Sequence, residues 1–116
     1  MALYRGDFLE EDRYEEWTIS PRERLRSAYI GILTHLSQLY FEIRSYDAAL
    51  ECSRKILERD DCSEEAHCQI MRCYYALGQR GLAVRQYFIT RDTLARELGV
   101  PPMETTTRLY EQIKRG

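Results

Sequence analysis

Long apolar runs, net charge, proline and clustered glycine are all scarce in this 116-residue chain, and each scarcity excludes something. No apolar run approaches the ~18–20 residues that a membrane span requires. The opening MALYRGDFLEED contains no hydrophobic secretory core, so a reducing cytoplasm is the expected compartment. Cys52, Cys62, Cys68 and Cys73 then read as free thiols rather than a disulfide framework. The formal net charge is only −2, and fifteen arginines and two lysines are interleaved with nineteen acids. Nucleic-acid binding needs a net-positive face that displaces phosphate counterions, so no direct nucleic-acid partner is expected. The six glycines are isolated and build no phosphate loop, and no G-x-S-x-G, H-E-x-x-H or carboxylate dyad occurs. These absences argue against an enzyme and leave the catalytic and cofactor-binding sets empty.

What remains is an ordinary composition, with 44% hydrophobic and 31% charged residues, long enough for one domain with one core. No stretch alternates with period two, whereas helical spacing recurs throughout. Ser20, Pro21 and Glu23 stand as N-cap, first helical residue and capping-box partner. Behind them Leu25, Ala28/Tyr29, Ile32/Leu33, Leu36, Leu39/Tyr40 and Ile43 form a broad apolar stripe on one long helix. Ser45 is placed to cap a second helix, and Asp61 with Glu64 to open a third that stops at Gly78. A fourth runs from about Gly81 to Leu98, ended by Gly99 and Pro101–Pro102. Leu109, Tyr110 and Ile113 predict a last helix over Met103–Lys114, weakened by the β-branched run Thr105–Thr107.

Shifting the chain by 34 residues aligns Leu36 with Ile70, Tyr40 with Tyr74, Phe41 with Tyr75, Ile43 with Leu77 and Ala49 with Ala83. Ser53 falls on Tyr87 in the same register. That period is one tetratricopeptide (TPR) unit, in which a small residue lets paired helices approach closely. The pattern departs from that unit at Ser37 and Met71, where Gly is usual, and at Asp61, where Pro is usual. The expected fold is all-α: a TPR-like, right-handed stack of antiparallel helix pairs forming an α–α superhelix.

The candidate chemistry is sparse. The spacing C-x9-C-x5-C-x4-C contains no zinc knuckle, so no metal site is expected and the thiols read as core residues with one or two exposed. His35 and His67 read as satisfied or solvent-facing. In such stacks Phe41 and Tyr75 fall on the concave side. With Thr34, Gln38, Glu42, Cys68 and Arg72 they outline a candidate interaction groove, although contact with a neighbouring helix would explain them equally.

Several segments also resemble a known family in order and spacing. They are Tyr4-Arg5-Gly6-Asp7-Phe8-Leu9, Trp17, Arg22-Glu23-Arg24-Leu25, Glu64-Glu65-Ala66-His67 and Met71-Arg72. Gly78, Ala83, Tyr87, Leu94 to Val100 and the tail Pro101-Pro102…Leu109-Tyr110-Glu111-Gln112-Ile113 continue the match. Together they resemble the bacterial transcriptional activator domain of SARP-type (antibiotic regulatory protein) transcriptional regulators, over essentially the whole chain. The resemblance implies a TPR-like module for oligomerisation or signal relay that ordinarily follows a winged-helix DNA-binding domain. Its partners would be that domain or the transcription machinery. Relatives carry further helices ahead of the Tyr4–Leu9 segment, so residues 1–116 read as one such domain lacking its first helices and the upstream DNA-binding domain. Leu3, Tyr4, Phe8, Leu9 and Trp17 would then form a self-association surface and favour a homodimer. Relatives often run one continuous helix through the position of Pro21; here a break near Ser20–Pro21 is expected, with Tyr14–Trp17 a separate short turn. A free-standing TPR adaptor that binds a peptide is the alternative function, and a small-molecule sensor a third.

Overall fold

The serine–proline pair at residues 20 and 21 starts a helix, as its chemistry dictates. Ser20 is extended (φ −70°, ψ 154°) and its hydroxyl accepts the Glu23 amide at 3.1 Å. The computed structural model describes residues 20–116. The proposed surface of Leu3, Tyr4, Phe8, Leu9 and Trp17, and the turn at Tyr14–Trp17, lie outside the described residues. Among the described residues five helices follow in order: α1 (Pro21–Glu42), α2 (Tyr46–Arg59), α3 (Glu64–Ala76), α4 (Arg80–Leu98) and α5 (Glu104–Arg115). Among the described residues there is no strand. Each helix packs chiefly on its neighbours in sequence, and α5 also folds back onto α3. The all-α, TPR-like architecture is that of paired helices added one after another.

Small residues sit where the helices come closest. Ala49 and Ala83, one repeat apart, are both fully buried, and so is Ser53, while Tyr87 in the corresponding next turn is buried. Leu33, Cys52, Ile56 and Ala66 join α1, α2 and α3, while Ala49, Leu50, Ile70 and Cys73 join α2 to α3. Met71, Ala83, Tyr87 and Ile113 close the far end, where Tyr87 and Tyr110 stack at 4.2 Å. Ser37, at the unit's usual glycine, lies buried with its hydroxyl 3.0 Å from the Ala49 carbonyl and 2.9 Å from Ser53 Oγ. The pair of hydroxyls satisfies itself inside the helix interface, so a serine serves there.

Several local expectations need correction. Ser63, not Asp61, caps α3, accepting the Ala66 amide at 3.3 Å. Asp61 instead offers its carbonyl to His67. Ser45 precedes α2 without making a side-chain cap bond. The β-branched run forms the first turn of α5 after all. Thr106 there is buried against Glu64, and the Thr107 hydroxyl meets Tyr87 Oη at 3.2 Å, so tertiary bonds override weak propensity. Cys52, Cys68 and Cys73 are buried and Cys62 is half-buried, so no thiol is fully exposed. The stripe on α1 is covered on one side only: Leu33 and Ser37 are buried, whereas Leu25, Ile32, Leu36, Leu39 and Ile43 face outward. Gly99 closes α4 in the left-handed region (φ 66°), where a side chain would clash with its own backbone.

Candidate functional site

The inner turns of α1 and α3 form two adjoining clefts, one lined also by α2 and the other walled by Met103, Thr105 and Thr106. One is lined by Thr34, Ser37, Gln38, Ser53, Ile56, Glu65, Ala66, Gln69 and Arg72. The other shares Gln38, Glu65 and Arg72 and adds Glu64, Cys68, Met103, Thr105 and Thr106. A polar network ties the helices together across this face. Gln38 donates to Glu65 Oε2 (3.2 Å), Gln69 to the Ser37 carbonyl (3.3 Å), and Arg72 to Gln69 Oε1 (3.2 Å). Gln69 is buried, so its amide is fixed by both partners and holds Arg72 at the cleft mouth.

Thr34, Gln38, Cys68 and Arg72 are therefore brought to one surface, while three other sequence candidates are not. Phe41 is half-buried against the cluster of Ala49, Leu50, Ile70 and Cys73, with its ring edge-on to Tyr46 at 5.1 Å. The tight link after α1, where Arg44 takes φ 67° and the Ser45 amide bonds the Tyr40 carbonyl, delivers Tyr46 to that spot. Glu42 is exposed on the last turn of α1 and Tyr75 is exposed near the end of α3; neither lines a cleft. Glu64, Glu65, Gln69 and Thr106 were missed. Their sequence signal is confined to helix-start acids and one polar residue inside an apolar run.

The second cleft contains a directed chain of hydrogen bonds. Glu64 Oε2 accepts the Met103 amide at 2.8 Å and the Thr106 hydroxyl at 2.6 Å. That hydroxyl has a single proton, so at the 3.3 Å contact with Cys68 Sγ the thiol must donate. Burial, above all, pushes the Cys68 thiol up in pKa. Burial likewise raises Cys52, and it pushes Cys73 up to about 11. Thiols held protonated are poor nucleophiles and poor metal ligands. Among the described residues no group of histidines, cysteines and carboxylates could hold a metal ion.

His67 is buried behind the same face, between the α2–α3 link and α4. Its Nε2 lies 2.8 Å from the Asp61 carbonyl and so donates, leaving Nδ1 to accept the Gln86 amide at 2.9 Å. Burial is the largest influence and lowers its pKa from 6.5, outweighing the Asp61 carbonyl and nearby carboxylates. The unfolded chain then takes up the proton more readily than the folded one. The stability contributed by His67 is thus present at neutral pH and is lost as pH falls below about 6.5. Urea unfolding between about pH 7.5 and 5 should show this loss, and His67→Gln, which cannot titrate, should flatten that part of the profile.

The two clefts present an amide and both signs of charge for surface contact. The family model described as bacterial transcriptional activator domain matches residues 1–114. The chain belongs to that family. No curated protein and no solved structure matches it. The bacterial transcriptional activator domain is a regulatory module of transcriptional activators, so the chain is a transcription-regulating domain with a helical, TPR-like fold. Among the described residues no helix is long and apolar enough to cross a membrane.

Proposed function

We propose that this bacterial transcriptional activator domain is a regulatory protein-interaction domain that relays a signal within a cytoplasmic regulator. Its partner is the regulator's own upstream DNA-binding domain or the transcription machinery, and it contacts neither nucleic acid nor cofactor itself. The observation that carries this reading is the double cleft between α1 and α3. It presents Gln38, Glu65 and Arg72, one amide and both signs of charge, on a rigid helical frame. Mixed charge of this kind suits a polar protein surface and is unsuited to a phosphate backbone. In the regulator that carries this domain, Arg72→Glu combined with Gln38→Ala should cut transcription from a target promoter about tenfold, the equivalent of ~1.4 kcal/mol of contact energy. Promoter footprinting run alongside separates the two partners. Retained occupancy places the contact on the transcription machinery, and lost occupancy places it on the DNA-binding domain. Unchanged transcription would sink the reading.

A further inference from the structure

The apolar stripe on the outward side of α1 is spaced like an interface. Leu25, Tyr29, Ile32, Leu36, Leu39 and Ile43 follow one another at intervals of four and three residues, the alternation of a coiled-coil seam. All six are between 37% and 72% exposed, along about 27 Å of helix. The stripe lies roughly 160° round α1 from Thr34 and Gln38, so it is separate from the two clefts. The 34-residue repeat shows what shape of element such a face receives. Ile32, Leu36 and Leu39 correspond to Ala66, Ile70 and Cys73 of α3, which are 2%, 2% and 0% exposed beneath another helix, α2.

Charge narrows the partner further. At the Leu25 end, Arg22, Arg26 and Arg59 line an open hollow with Leu25 and Tyr29, and Arg59 stands 5.0 Å over the Tyr29 ring. Among the described residues none of these three arginines forms an ion pair with a carboxylate. The two acids of α1, Glu23 and Glu42, fall about 100° or more from the centre of the stripe. A second copy of this chain is a poor match. Laid parallel, it stacks one arginine cluster on the other; laid antiparallel, it opposes the cluster with Glu42 and Arg44, whose charges cancel. We infer that the stripe docks an acidic amphipathic helix of a partner protein. Its apolar seam interleaves with Leu25 to Ile43, and its carboxylates face Arg22, Arg26 and Arg59. Arginine forks hold carboxylates in a fixed geometry, so the hollow sets which end of the partner helix lies there. This inference concerns a face distinct from the clefts and does not rest on the proposed relay role.

Two synthetic three-heptad peptides test it on the full chain. Both carry leucine at the seam positions, one with glutamate and the other with lysine beside them. By fluorescence anisotropy the glutamate peptide should bind about tenfold tighter or more, and less tightly as salt is raised. Arg22→Glu combined with Arg26→Glu should reverse that order. Ile32→Asp, at a position 61% exposed, should weaken binding about tenfold while far-ultraviolet helicity is retained. Failure of both peptides to bind, equal binding of the two, or binding that survives Ile32→Asp would overturn the proposal. So would sedimentation showing that the unaltered chain pairs with itself and that Ile32→Asp abolishes the pairing, because the occupant would then be a second copy.

Discussion

Replacing Met71 with alanine should lower the melting temperature of the chain by roughly 10–20 °C, corresponding to a loss of about 3 kcal/mol. Met71 is fully buried and packs with Ala83, Tyr87 and Ile113, so its side chain fills the junction of α3, α4 and α5. Ala83 is already minimal, and Tyr87 is held by its stack on Tyr110 and by Thr107. The walls therefore cannot collapse into the space that truncation opens, and the cavity cost adds to the lost transfer energy. Met71→Leu, which nearly conserves volume, should cost less than ~1.5 kcal/mol. Thermal melts followed by circular dichroism separate the two. A shift below about 3 °C for the alanine variant would mean that the junction repacks.

Glu64→Ala should destabilise the chain by about 2 kcal/mol, with the loss concentrated in α5. Met103, the N-cap residue of α5, makes no capping bond with its own side chain. The Glu64 carboxylate takes over from the start of α3, accepting the Met103 amide and the Thr106 hydroxyl. It places negative charge at the positive end of the α5 dipole. Without it the fully buried Thr106 hydroxyl keeps only the weak Cys68 contact. Amide exchange across Glu104–Arg115 should accelerate more than exchange in α2. A cycle with Thr106→Val should show a coupling of at least ~0.5 kcal/mol. Additive effects would mean that the carboxylate and the hydroxyl do not act together.

These two residues also mark where reading the chain succeeded and stopped. Ala49 and Ala83 were legible because a 34-residue offset aligns them, and burial of a small side chain at each follows from helix pairing. Ser20 was legible because capping is a matter of three consecutive residues. Glu64 was legible only as a helix-start acid, since its partners lie 39 and 42 residues away. Phe41 was placed in the groove by repeat geometry, but it lies half-buried against the α2–α3 cluster with Tyr46, just past the left-handed residue Arg44, edge-on to its ring. The third cap went to Ser63 because the helix begins at Glu64, which puts Ser63 and not Asp61 at the position that reaches the Ala66 amide.

By itself the order of residues determined the helices, their pairing period and the family, because hydrogen bonding and apolar spacing within a helix act over a few neighbours and are written in consecutive positions. Packing alone decided which half of the α1 stripe is covered, which polar side chains converge between α1 and α3, and which carboxylate anchors α5. Those outcomes depend on crossing angles and close approach between distant segments, which no local pattern encodes.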